Sequence, residues 1–186
     1  MLYARKIEES AWMYVSQELD SDSIADVSTS KHELSVWQVP DDLSTLDDIA
    51  LALALSRNKA DGLWVVLIDT NELEHSTRAR KSKGWQVQLT QQEGNSRYTA
   101  MNRNHINFVV SDIWEQGYLS IYIKKELVDK HCHLYYFDLH KILNILRSKI
   151  DNGIIDYETF KSNSDKWISE LNKSFPDFKE SHKKKK

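Results

Sequence analysis

Basic and aromatic side chains gather between positions 75 and 105, and their types are suited to chemistry on nucleic acid. The set comprises Arg78, Arg80, Lys81, Lys83, Trp85, Arg97, Arg103 and His105. Guanidinium and ammonium groups bind phosphates, while aromatic rings stack on unpaired bases. The segment therefore predicts a surface for RNA or single-stranded DNA, with a solvated basic loop as the alternative.

Two histidines in this segment could add catalysis to binding. His75 or His105 could act as the general acid or base of a metal-independent ribonuclease, with an arginine stabilising the charged transition state. The spacing of these groups along the chain does not fix their geometry. Binding is therefore the interpretation that the sequence favours over cleavage.

A second group of reactive residues is His131-Cys132-His133, followed by His140. Residues two apart on a strand point the same way, so His131 and His133 could reach one metal ion. No carboxylate cluster clearly completes the set, and a buried, inert Cys132 between two edge-strand histidines is the preferred interpretation. Cys132 also meets the minimum for a thiol nucleophile, but no flanking signature supports that role. We expect neither a metal site nor a cofactor.

Arg5 and the later Ser28-Thr29-Ser30 resemble, in type and order, two parts of the motif of one class of ADP-ribosyltransferases. The third part of that motif is a glutamate on a strand. Glu115 lacks the paired Glu or Gln two residues before it, so the third part is missing as a clear motif. The resemblance implies an NAD-consuming enzyme, which we keep as a third hypothesis. The chain has no P-loop, no Gly-x-Gly-x-x-Gly, no His-Glu-x-x-His and no Gly-x-Ser-x-Gly.

The elements that must position these residues belong to one domain of ordinary size. The chain has 186 residues, of which 40% are hydrophobic, and its net charge of -3 excludes a globally basic nucleic-acid binder. A single cysteine, an N-terminus without an apolar core region, and no long apolar run predict a soluble cytoplasmic protein with no membrane contact. We expect one domain over residues 1–178 and a disordered basic tail over 179–186.

A strand-helix-strand unit over residues 33–68 has the clearest signals. Glu33–Val39 alternates, with Leu34 and Val36 on one side and Glu33, Ser35, Trp37 and Val39 on the other, and Pro40 ends it. Ser44 and Asp47 approximate a capping box for a helix that ends near Arg57. The acidic residues at 41–48 are read as helix N-terminal caps rather than a cation site. Leu63–Ile68 is a continuous apolar run, typical of a strand covered on both faces.

The rest of the chain predicts further strands and two C-terminal helices. Weaker or shorter apolar patterns predict strands at Leu2–Ile7, Trp85–Leu89, Ile106–Val110, Leu119–Ile123 and His133–Leu139. Apolar residues at helical spacing predict helices over Ser10–Leu19, His140–Ile150 and Tyr157–Phe175. The polar segments between Asn71 and Asn104 read as long loops. The fold class is α+β, with a mixed sheet of about five to seven strands and flanking helices.

These observations lead to a primary functional hypothesis and two alternatives. No catalytic constellation is evident, whereas six Trp, eight Tyr and long polar segments favour binding surfaces. We therefore expect a non-catalytic module that binds another protein. A nucleic-acid binder or metal-independent ribonuclease, and an ADP-ribosyltransferase-like enzyme, are the alternatives.

Overall fold

The computed structural model describes residues 1–12, 21–28, 31–78, 86–128 and 133–182. Its strands are β1 Leu2–Ile7, β2 Glu33–Val39, β3 Leu63–Asp69, β4 Gln88–Gln91, β5 His105–Val109 and β6 Leu134–Phe137. Its helices before β5 are α1 Glu9–Trp12, α2 Ser21–Val27, α3 Leu46–Leu55, α4 Thr70–Arg78 and a 3-10 helix, η1 Thr99–Asn104. Those after β5 are α5 Ile113–Val128, α6 Leu139–Asp151, α7 Tyr157–Ser162, α8 Asp165–Ser174 and α9 Pro176–Ser181.

The six strands form one sheet in the order β4-β5-β2-β1-β3-β6. Among the described residues, each strand runs antiparallel to its neighbours in the sheet. The predicted α+β class, with one sheet and flanking helices, is confirmed, but the sheet is antiparallel rather than mixed. β1 is the reason, because it lies between β2 and β3 and runs against both.

The predicted unit over residues 33–68 is present as β2, α3 and β3. Because β1 separates the two strands, α3 crosses over one intervening strand before β3 begins. α3 is buried along nearly its whole length, from Leu46 through Ile49 to Leu55, with only its first-turn acids less covered. It forms the centre of the layer on one face of the sheet.

Two apolar clusters, one on each face, hold the helices to the sheet. The first joins β1, β2 and β3 to α3, α6, α7, α8 and α9, with Trp167 and Phe178 among its fully buried side chains. The second joins the opposite face to α1, α2, α4 and α5, and it contains Phe108 and Leu73. Burial of such large apolar side chains contributes roughly 2 kcal/mol each in transfer free energy. Helices therefore cover both faces of the sheet.

The start of α3 differs from the predicted capping box. Thr45 is the N-cap residue, and its side chain makes no capping hydrogen bond. Ser44 lies before it, and its main-chain N–H donates to Asp42 Oδ1 at 3.0 Å. The first-turn acids instead pair with α6: Lys141 Nζ lies 3.0 Å from Asp47 Oδ1, and Lys149 Nζ lies 2.6 Å from Asp48 Oδ1.

Two other sequence predictions are wrong in their element type. The predicted strand Leu119–Ile123 lies inside α5. The polar stretch after Asn71 is not a loop from its start, since α4 continues directly from β3 to Arg78. The further stretch to Asn104 contains β4 and η1. The predicted helix Ser10–Leu19 is described only as far as Trp12, and the rest lies outside the described residues.

The C-terminal region contains more helices than the two predicted. α6 matches the prediction, while the second predicted helix is divided into α7 and α8. Pro176 ends α8 but also begins α9, where it occupies a first-turn position. Lys179 to Ser181 are helical although the sequence predicts a disordered tail there, because fully buried Phe178 anchors α9. Residues 183–186 lie outside the described part of the chain.

Candidate functional site

One end of the sheet carries polar side chains on the face that α3 covers elsewhere. Residues opposite each other in an antiparallel register share a face, and so do alternate residues along a strand. Ser35 of β2 lies opposite Asn107 of β5, and Asn107 lies opposite Thr90 of β4. We call this region the polar strip; it comprises Glu33, Ser35, Thr90, Gln92, His105 and Asn107. The predicted alternation along β2 places Glu33 and Ser35 correctly on this face.

A short side-chain contact between β2 and β5 joins Ser35 to His105. Ser35 Oγ and His105 Nε2 lie 2.5 Å apart, and His105 Nδ1 lies 2.9 Å from the main-chain oxygen of Gln92. A carbonyl oxygen can only accept, so Nδ1 carries the proton and donates to it. In the neutral ring Nε2 is then an acceptor, and the Ser35 hydroxyl donates to it. The Gln92 carbonyl thereby selects the tautomer that can take a proton from Ser35.

Packing fixes the His105 ring while leaving the hydroxyl accessible. His105 is only 8% exposed, and its ring meets the Trp37 ring edge to face with centroids 5.2 Å apart. Ser35, in contrast, is an exposed residue on its strand. Trp37 and the Gln92 carbonyl therefore fix the imidazole, while Ser35, its partner, faces solvent.

The loop that presents the Gln92 carbonyl is held by η1. Gly94 N–H donates to Asn102 O at 3.1 Å, and Ser96 N–H donates to Asn102 Oδ1 at 3.0 Å. A side chain at Gly94 would force its surroundings to shift, since a Cβ there would lie 2.9 Å from Asn102 Oδ1, 3.0 Å from the Trp37 ring and 3.1 Å from His105 Cβ. The loop can therefore approach His105 closely only with glycine at position 94.

A second set of hydrogen bonds surrounds Glu33. Thr90 Oγ1 donates to Glu33 Oε1 at 3.1 Å. Asn107 Nδ2 donates to Gln92 Oε1 at 2.5 Å and reaches Glu33 Oε2 at 3.5 Å. Asn107 is buried, and these two contacts give its amide nitrogen partners within the strip. These contacts tie β2, β4 and β5 together through side chains as well as through the main chain.

A cavity of about 370 Å³ opens onto the polar strip. Its lining consists of Lys31, Glu33, Ser35, Gln92, Glu93, Asn95, His105 and Asn107. We call it the polar cavity. Its volume lies at the lower end of the range for small-molecule sites. One ammonium and two carboxylates give a formal charge of -1, which favours neutral or cationic ligands over phosphates.

Arg97, a predicted nucleic-acid-binding residue, instead binds main-chain carbonyls at the end of α3. Its Nη1 donates to Leu55 O at 2.8 Å and to Arg57 O at 3.0 Å. Its Nε donates to Asn163 O at 2.9 Å, and Nη2 donates to Asn58 Oδ1 at 3.1 Å. This guanidinium joins three segments of the chain, and its donors are directed at protein rather than at a ligand.

The other members of the predicted basic surface are dispersed or lie outside the described residues. Arg103 is exposed on η1, and Arg78 is the last residue of α4 with an undescribed side chain. Of Arg97, Arg103 and His105, only His105 lines the polar cavity. Predicted residues outside the described ranges are Arg80, Lys81, Lys83 and Trp85. His75 is exposed on α4, on the opposite layer from the cavity.

The histidines that the sequence analysis weighed as metal ligands are not assembled within the described ranges. His133 is half-buried just before β6, whereas His140 is exposed in the first turn of α6 and stacks on Phe175 at 5.5 Å. His131 and Cys132 lie outside those ranges. No group of three or more His, Cys, Asp or Glu side chains suited to a metal ion occurs among the residues that the structure describes.

Arg5, the first part of the transferase-like pattern, and Glu115, which was weighed for its missing third part, both have partners within the protein: Glu115 Oε2 accepts from Ser111 N–H. Arg5 Nη1 donates to Ser35 O at 3.1 Å, and Nη2 donates to Asp26 O. Burial lowers the pKa of Arg5, and Asp26 opposes that shift. Glu115 lies in the first turn of α5 rather than on a strand. Ser28 donates to Ile24 O at 2.7 Å, while positions 29 and 30 are outside the described residues.

Sequence reasoning singled out His105 but missed its partner. Ser35 is one serine in an alternating strand, and 70 positions separate it from His105. The alternation along β2 indicated only that Ser35 shares a face of the strand with Glu33 and Trp37. Pairing β2 with β5 depends on the sheet order, which the sequence did not supply.

Comparison with known proteins finds no matching family model, no matching curated protein and no matching solved structure. Within the described residues, no helix has the combined length and apolar character needed to cross a bilayer.

Proposed function

We propose that the protein is an interaction module that binds an extended segment of a partner protein beside β4. The observation that carries the proposal is the position of the polar strip at the β4 end of the sheet, where the cavity opens. An added strand would extend the sheet and place alternate side chains against the strip. This is the binding mode known as strand addition.

The composition of β4 supports this mode of binding. β4 is terminal in the sheet order and consists of Gln88, Leu89, Thr90 and Gln91, with neither a charged residue nor a proline. Those are the features by which natural edge strands usually block further pairing. Leu89 is 47% exposed and lies opposite Phe108, so an added strand would also cover this apolar side chain on the other face.

Charge suggests the chemistry of the partner segment. Glu33 and Glu93 outnumber Lys31 around the polar cavity. A lysine, arginine or amide side chain of the partner would therefore be favoured there, and an acidic one disfavoured. The partner proposed is an extended, basic or amide-rich segment of another protein.

Photocrosslinking in the native cell tests this proposal. A photoreactive amino acid at exposed Gln91 should join the chain to one partner, and the same group at exposed Glu158 should not. Leu89→Lys places a charge on the edge and should reduce that crosslink about tenfold or more. The matched change Ile154→Lys should leave it intact, since Ile154 is a similarly exposed apolar residue, at 52%, away from β4.

Two results would count against strand addition. One is the absence of a Gln91 crosslink, and the other is a crosslink that survives Leu89→Lys while the protein remains folded.

Nucleic-acid binding is the second candidate, and it depends largely on Arg80, Lys81, Lys83 and Trp85. Its test is a shift of RNA or single-stranded DNA at low salt that disappears in Arg78→Ala and Arg80→Ala together.

A further inference from the structure

Ser35 and His105 have the arrangement that converts a serine into a nucleophile. A serine hydroxyl is weakly nucleophilic until an adjacent base removes its proton, and the base must be oriented by a third group. Here the base is His105 Nε2, 2.5 Å from Ser35 Oγ, and the orienting group is the Gln92 carbonyl. We propose that Ser35 is the nucleophile and His105 the general base of an acyl-transfer site in the polar cavity.

Accessibility distinguishes this pair from an ordinary structural hydrogen bond. A buried histidine needs partners for both nitrogens, and a buried serine could supply one without any role in chemistry. Ser35 is exposed, however, and it lines a cavity with space for a small ligand or the side chain of a larger one. A carbonyl carbon entering the cavity would meet the hydroxyl before it met the imidazole.

The charge of the cavity selects the substrate class. Phosphate esters carry negative charge and would be repelled by Glu33 and Glu93. A neutral or cationic carboxylic ester carries no such penalty. Among the described residues, Lys31 is the cation that lines the cavity, and positive charge of this kind favours a developing oxyanion. The substrate class is therefore an uncharged or positively charged ester.

The reaction takes place in two balanced halves. Ser35 Oγ bonds to the carbonyl carbon while its proton passes to His105 Nε2. The carbon–oxygen bond to the leaving alcohol then breaks, and the Nε2 proton passes to the alkoxide. In the second half Nε2 takes a proton from water, the hydroxide attacks the acyl carbon, and Ser35 leaves with that proton. The products are an alcohol and a carboxylic acid, and no oxidant or cofactor is needed.

Labelling of the full chain with a neutral alkyl fluorophosphonate tests the inference. Attack by Ser35 Oγ on phosphorus expels fluoride, and the bond persists, so mass spectrometry can locate the adduct. We expect modification of Ser35 in the native protein and none at that position after unfolding. Ser28 is the internal control, because its exposed hydroxyl donates to a main-chain carbonyl rather than to a histidine. Ser35 should react at least about 100-fold faster, the lower end of what a positioned base contributes.

Two variants separate chemistry from folding. Ser35→Ala should fold normally and lose the adduct. His105→Gln should slow labelling by about 100-fold or more while circular dichroism reports a folded chain. The inference is overturned if native Ser35 reacts no faster than Ser28, which requires no variant to fold. It is equally overturned if folded His105→Gln labels at the wild-type rate.

Two separate readouts distinguish this inference from the proposed partner binding. In the wild-type chain the Gln91 photocrosslink reports strand addition, and the Ser35 adduct reports the nucleophile. Leu89→Lys should reduce the crosslink about tenfold or more and retain the Ser35 adduct, because Leu89 lies opposite Phe108 on the other face of the sheet from the polar cavity. Failure of labelling with an intact crosslink would therefore remove the nucleophile alone, and the converse result would remove strand addition alone.

Discussion

The Arg97 guanidinium is the cap of α3, since its Nη1 donates to the carbonyl of Leu55, the last residue of that helix, at 2.8 Å. The last carbonyls of a helix lack partners within it, and a cation there also interacts favourably with the helix dipole. The guanidinium of an arginine that the sequence placed among nucleic-acid ligands is therefore occupied by main-chain carbonyls of the protein. The same side chain connects α3 to the α7–α8 junction through Asn163.

Replacing Arg97 by alanine should destabilise the fold. A hydrogen bond to a charged group contributes about 1.5 to 3 kcal/mol. Arg97 is only partly buried, so water replaces some of its contacts in the variant, and we expect a net loss of roughly 3 kcal/mol. For a chain of this size, that corresponds to a melting temperature lower by about 6 to 12 °C. Arg103→Ala is the matched control, because Arg103 is exposed on η1, and its melting temperature should be close to wild type. Equal melting temperatures for the two variants would contradict the capping role.

The acid sensitivity of the α6–α9 contact should depend on Asp177. Its hydrogen bond with the Arg147 side chain holds the pKa of Asp177 below the ordinary value of 3.8. A carboxyl group whose pKa is lowered in the folded state stabilises the protein at pH values above its pKa in the unfolded state. That contribution disappears as the pH falls through the pKa of the folded state.

Urea unfolding of wild type and Asp177→Asn at several pH values measures this contribution. At pH 7 wild type should have a larger free energy of unfolding than Asp177→Asn. This gap in free energy should close as the pH falls below 3.8. Because the pair is exposed, added salt should also narrow the gap at pH 7. A gap that persists unchanged at the lowest pH would show that the carboxylate charge is not responsible.

The sequence predicted the strand-helix-strand unit well because its signals agree with one another. Leu63–Ile68 is apolar throughout since β3 lies inside the sheet with helices on both faces. The buried stripe of α3 was also correct, although the helix is covered on more sides than a stripe requires. The capping box failed because Ser44 and Asp47 have other partners, and spacing alone does not reveal competing contacts.

The error at Leu119–Ile123 has a specific cause. Leu119, Ile121 and Ile123 alternate with Ser120 and Tyr122, which mimics a half-exposed strand. In the structure Leu119, Tyr122 and Ile123 form the buried face at helical spacing. Ser120 is buried as well, and its hydroxyl donates to Gln116 O one turn earlier, which satisfies the polar group within the helix. A short run with an aromatic residue on its polar side fits the two-residue period of a strand as well as the period of an α-helix.

α4 was missed for the opposite reason, a shortage of apolar residues. Leu73 is its fully buried anchor, and the residues around it are polar or charged. Glu74 accepts from Val87 N–H at 3.0 Å, a contact across 13 positions that fixes the start of the following segment. A helix held by one apolar side chain has no periodic pattern to detect.

Gly94 offers a test of how strongly the loop geometry controls the Ser35–His105 pair. A Cβ at position 94 would lie 2.9 Å from Asn102 Oδ1, which already accepts from Ser96 N–H. It would also press on Trp37 and on His105 itself. Gly94→Ala should therefore force the loop away, lengthen the contact between Gln92 O and His105 Nδ1, and destabilise the fold by about 1 to 3 kcal/mol.

Gly117→Ala is the matched control within the same chain. Gly117 lies inside α5, and a Cβ there would meet nothing within 4 Å. Alanine is favoured over glycine in a helix interior by about 1 kcal/mol, so this variant should melt at a higher temperature than wild type. It should also keep the wild-type rate of Ser35 labelling, whereas Gly94→Ala should slow it. If both alanine variants melted and labelled alike, the close approach of the Gln92–Ser96 loop to His105 would not be what orients the imidazole.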